Sequence, residues 1–121
     1  MMEFAKKVLN SGMPIKVHIF VLGFTVFMSK DGKKIKLYAI GNVDKFEDIC
    51  KNSGCDKYLM VFKRNWNVVR AIAYERFLPK FLNFCLKKYR LRFVAASDTG
   101  LSIYLEPWSK ISVTSNTNHL L

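Results

Sequence analysis

The sequence predicts an α/β or α+β domain: a central mixed β-sheet flanked by helices. Three observations carry that expectation. Strand-length runs of β-branched and apolar residues recur along the chain. Asp-Gly and Asp-Thr-Gly turns separate two pairs of them, and three stretches place apolar residues at helical spacing. With 121 residues, half of them apolar and 14% aromatic, the chain can bury such a core without disulfides or metal.

Taken in order, Met1, Phe4, Ala5, Val8 and Leu9 share one face of an opening helix, which Gly12 and Pro14 stop. Residues 15–22 are β-branched and apolar, Gly23 interrupts, and 24–29 resume. They form two extended segments, or one strand bulged at Gly23. Asp31-Gly32 predicts a hairpin turn with positive φ at both positions. In the strand over 33–40, Ile35, Leu37 and Ala39 face one way, and Lys34, Lys36 and Tyr38 the other.

Asp44 followed by Glu47 marks a helix start of the capping-box type. Phe46, Ile49 and Cys50 supply the buried stripe, and Gly54 closes the helix. "KYLMVF" is apolar enough for a central strand buried on both faces. "KRNWN" is a turn and 68–74 a further strand. Pro79 suits the first turn of a second strong helix. Its apolar side is Leu78, Phe81, Leu82, Cys85, Leu86 and Tyr89; its polar side is Lys80, Asn83, Lys87 and Arg90. Residues 91–96 and 101–106 flank Asp98-Thr99-Gly100 as a C-terminal hairpin. The expected single domain spans 1–108, with the Ser/Thr/Asn-rich residues 109–121 as a flexible tail.

Twenty Lys and Arg against nine Asp and Glu give a net charge of +11. Such a surplus favours polyanionic partners, nucleic acid ahead of an acidic membrane surface. The longest uncharged apolar run, Ile19 to Met28, falls well short of the ~20 residues needed to span a bilayer. No small-residue cleavage site follows it, so neither a membrane partner nor secretion is expected. Cys50, Cys55 and Cys85 cannot all pair within one molecule. A lone C-x4-C with His18 and His119 far apart is a poor zinc pattern. Buried thiols in a reducing, cytoplasmic compartment and no metal are the expectation. There is no nucleophile elbow or phosphate loop.

Nine of the thirty residues from Lys63 to Arg92 are basic, and Glu75 alone is acidic. Cations on strand ends and along a helix face suit the phosphate backbone. Trp66, beside Arg64 and Asn65, suits stacking on a base or wedging at a distorted junction. The expected binding set is Lys33, Lys34, Lys36, Lys63, Arg64, Trp66, Arg70, Lys80, Lys87 and Arg90, acting with weak sequence preference.

Four stretches carry a family likeness: "MEFAKKVLNSG", "GFTVFMSKDGKKIKLYAIG", "DKFEDICKNSGCDKYLMVFKRN" and "WNVVRAIAYERF". In element order they resemble the restriction-endonuclease-like, PD-(D/E)xK superfamily, and within it the archaeal Holliday junction resolvases. That resemblance implies an endonuclease-like core over residues 1 to about 77, a homodimer, and Mg²⁺ held by clustered carboxylates beside a lysine. Glu3 stands where the family's helix acid is expected. Thr25 stands near the aspartate's place, and Ala39 and Gly41 occupy the E-x-K positions.

The resemblance therefore implies a degenerate, non-catalytic nucleic-acid-binding protein without a cofactor. An alternative is a Mg²⁺-dependent nuclease with relocated residues Glu3, Glu47 and Lys36. A third reading is a protein-interaction or inhibitor module, because helix 78–90, with Phe77 and Phe84 beside it, carries more apolar surface than one small sheet covers. The compact, Lys- and Asn-rich character fits a small mobile element or virus.

Overall fold

Alternation of apolar and polar residues builds one seven-stranded sheet. The structure is a computed structural model that describes residues 7 and 10–108. Its strands are β1 (Ile15–Ile19), β2 (Phe24–Asp31), β3 (Lys34–Gly41), β4 (Leu59–Asn65), β5 (Val68–Tyr74), β6 (Arg90–Ser97) and β7 (Gly100–Glu106). The helices are α1 (Val43–Ser53) and α2 (Phe77–Lys88), with a short 3-10 turn at Cys55–Tyr58. Across the sheet the order is β4-β5-β3-β2-β1-β7-β6. β1 and β7 run parallel, and every other neighbouring pair is antiparallel. The architecture is thus a mixed sheet with helices, as expected.

Strand register places the core. Val17 pairs with Val26, Val26 with Ala39 and Ala39 with Val69, while Val17 also pairs with Ile103. All five are completely buried. The period-2 alternation puts the remaining buried strand residues on the same side. Both helices pack there: the Phe46 ring lies 5.8 Å from Phe24 and 5.9 Å from Phe81, and Phe81 stacks on Phe77 at 5.4 Å. Each such ring contributes about 1.5–3 kcal/mol through removal from water. Neither α1 nor α2 covers the opposite face of the sheet, which is bare among the described residues.

Several local expectations need correction. "KYLMVF" does not form a central strand. Hairpin pairing sets β5 beside β3, so β4 becomes an edge strand with Met60, Val61 and Phe62 exposed. The Asp31-Gly32 turn is shifted by one residue. Asp31 pairs with Lys34, the turn is Gly32-Lys33, and only Gly32 has positive φ, at 63°. Helix α1 is preceded by Asn42 rather than capped by Asp44, and no side-chain cap bond forms. Arg90 lies in β6, not on α2. Phe77 is fully buried, and Phe84 packs partly buried against the core. The surplus of apolar surface expected on α2 is therefore absent there.

Of the opening helix, Lys7, Asn10 and Ser11 are described and helical, and Gly12 follows at φ 68°. Its other residues, Glu3 included, lie outside the described residues, as do His119 and the expected tail over 109–121. Between β1 and β2 the chain reverses through a turn with Val21 at φ 74° and Gly23 at φ 79°, so two strands, not one bulged strand, form. The three cysteines are free and buried. Burial raises each thiol above its ordinary range, keeping it protonated and inert. Among the described residues, no helix is long and apolar enough to cross a membrane.

Candidate nucleic-acid interface

Every central strand that sends apolar side chains under the helices sends its alternate residues to the bare face. Their registers align into a row running across the whole sheet. Lys63 pairs with Arg70, Arg70 with Tyr38, Tyr38 with Phe27, Phe27 with Lys16, and Lys16 with Ser102. Two further rows flank it. One holds Val61, Ile72, Lys36 and Ser29. The other holds Ile40, Thr25, His18, Tyr104 and Phe93.

Aromatic rings and cations interleave along these rows. Phe27 and Tyr38 lie 6.0 Å apart between ring centroids, and the Arg70 guanidinium sits 5.2 Å over Tyr38. Lys16 Nζ is 5.1 Å from the Tyr104 ring, which stacks on Phe93 at 4.4 Å. A hydrogen bond from Lys16 holds the Tyr104 phenol below its ordinary range. Arg92, in the bulge of β6, lies 4.6 Å over Phe20. His18 meets Phe20 edge-on at 4.6 Å, and its Nδ1 lies 2.8 Å from Thr25 Oγ1. Partial burial, then the neighbouring Lys16 charge, lowers the His18 pKa from 6.5, favouring the neutral ring.

The first two rows, from Lys63 to Ser102 and from Val61 to Ser29, form the floor of a trough of about 860 Å³ that extends from Val61 and Lys63 to Ser97 and Thr99. Among the described residues, four cations line it, Lys16, Lys36, Lys63 and Arg70, and none of the lining residues is acidic. Glu106, the acid of β7, is held by Arg90 at 3.0 Å and Arg92 at 3.5 Å.

The residues expected to bind nucleic acid divide between the two faces. Lys34, Lys36, Lys63 and Arg70 lie on the bare face, with Lys33 at the tip of the β2–β3 turn. Trp66 projects from the β4–β5 turn at φ 61° and is 88% exposed, so it does not close the core. Arg64 turns to the helix side, where it pairs with Asp44 and Glu47. Lys80 and Lys87 ride on α2, behind the sheet, and Arg90 is engaged by Glu106.

The positions carrying the nuclease resemblance are also placed. Thr25 bonds to His18, Ala39 is fully buried beneath the helices, and Gly41 takes φ 108°. A Cβ on Gly41 would collide with the Gly23 carbonyl oxygen. Glu47 on α1 and Lys36 on the bare face lie on opposite sides of the sheet. Among the described residues, no cluster of three His, Cys, Asp or Glu side chains suits a metal ion.

Lys16, Phe27, Tyr38, Phe93 and Tyr104 were missing from the expected set. The alternation of "IKVHI", "FTVFM" and "KIKLYAI" marks their direction strand by strand. Their convergence needs the strand order. No protein-family model, curated protein or solved structure matches the chain.

Proposed function

We propose that this protein binds nucleic acid without cleaving it, using the bare face of its sheet, through backbone contacts and with weak sequence preference. The carrying observation is the cross-sheet row from Lys63 to Lys16, in which cations flank two aromatic rings inside a trough that none of the described acids lines. Phosphates neutralise such cations with release of counterions, and exposed rings accept bases. A non-catalytic, degenerate nuclease-like scaffold is part of the proposal; Ala39 and Gly41 at the E-x-K positions support it. So is a homodimer, supported by the exposed apolar edge strands β4 and β6, which suit pairing with a second copy.

Fluorescence anisotropy with labelled oligonucleotides at several salt concentrations tests the reading. Affinity that falls steeply with salt, and falls again in Lys16→Glu and Arg70→Glu variants, is the expected result. A flat salt response, or variants that bind like the parent, overturns it.

A further inference from the structure

Resting on that reading, we infer that the ligand is a single strand whose bases stack on Phe27 and Tyr38, and not a duplex. The order of chemistry across the sheet leads there. Read from β4 to β1, it is cation, cation, aromatic, aromatic, cation: Lys63, Arg70, Tyr38, Phe27, Lys16. With neighbouring strands about 4.8 Å apart, the row spans roughly 19 Å. Phosphates of one strand follow at intervals of ~3.4 Å or more, so several fit along it.

A partner filling this row presents planar apolar groups at its centre and negative charge at its ends. A single strand does both, because its bases are free to turn onto a ring while its phosphates reach the flanking cations. A duplex does not: its bases face one another, and reading them takes a helix or ribbon projecting into a groove. The trough is concave, and among the described residues no helix or ribbon rises from its floor. Phe27, 42% exposed, would be desolvated against phosphate and left without a stacking partner. Stacking on the ring pair also fits sequence tolerance, since every base has a π-face.

Anisotropy titrations with a labelled oligothymidylate or oligouridylate of ~12 nucleotides, an abasic strand of equal length and a matched duplex decide it. The expected result is at least ~10-fold tighter binding of the base-bearing strand than of the abasic strand or the duplex. Phe27→Ala should remove most of that preference while leaving the abasic strand within ~2-fold, and Phe27→Trp should retain it. Duplex binding equal to or tighter than single-strand binding overturns the inference. So does a Phe27→Ala loss that is the same with and without bases. If that variant does not fold, the abasic comparison and Phe27→Trp still decide. Binding to no nucleic acid overturns the proposed function itself, whereas binding without strand preference overturns only this inference.

Discussion

The guanidinium of Arg64 lies 2.5 Å from the carboxylate of Glu47, and one of its nitrogens also bonds Asp44 at 2.7 Å. Its Nε donates to the Trp66 carbonyl at 2.9 Å. The two carboxylates raise the Arg64 pKa further. One side chain thus ties edge strand β4 and its turn to helix α1, on the side away from the trough. Arg64→Ala should therefore leave oligonucleotide affinity within ~2-fold of the parent, and lower stability only slightly, since exposed ion pairs contribute little. Anisotropy and denaturant unfolding of the same variant check both.

Salt dependence is quantitative. If Lys16, Lys36, Lys63 and Arg70 each neutralise one phosphate of a single strand, the log–log slope of affinity against salt should be about −3, at ~0.7 per contact. Replacing any one by Ala should reduce the slope by about 0.7. Lys80→Ala and Lys87→Ala, on α2, should leave it unchanged. Slopes measured across the variant set separate the two faces.

Incubation of single strands, duplexes and four-way junctions with Mg²⁺ or Mn²⁺ should give no cleavage product on a denaturing gel. Glu47 is engaged by Arg64, and Lys36 lies across the sheet from it. Cleavage that Glu3→Ala abolishes would restore the nuclease reading.

Gly41→Ala should destabilise the protein by more than ~1 kcal/mol. At φ 108° an L side chain is strained, and the added Cβ would run into the backbone of Gly23 in the β1–β2 turn. Thermal unfolding measures the loss. Gly41→Lys should be no better tolerated, so an E-x-K motif cannot be installed there by substitution alone.

The pH dependence of stability should carry a His18 component. Partial burial and Lys16 depress its folded-state pKa below the ordinary 6.5. As pH falls through 6.5 the unfolded chain takes up a proton first, so the His18 contribution is complete above that pH. It is lost as pH falls towards the folded value and then levels off. His18→Gln should flatten melting temperature against pH in that window, and calorimetry of the two proteins compares them.

Much of the local structure is legible in the chain itself. The alternation of Ile35, Leu37 and Ala39 against Lys34, Lys36 and Tyr38 appears as read, as do the buried stripe of α2 and the closing hairpin. These are short-range patterns, and burial enforces their period directly. The two faces of the central strands β1, β2, β3 and β5 were therefore determined by sequence alone. Tertiary structure decided which strands stand side by side. Pairing β5 with β3 pushed the apolar run of β4 to the edge, and pairing β1 with β7 drew Lys16 and Tyr104 together from opposite ends of the chain. A strand's own residues specify its two faces, but its neighbours are chosen by long-range contacts that no local window contains.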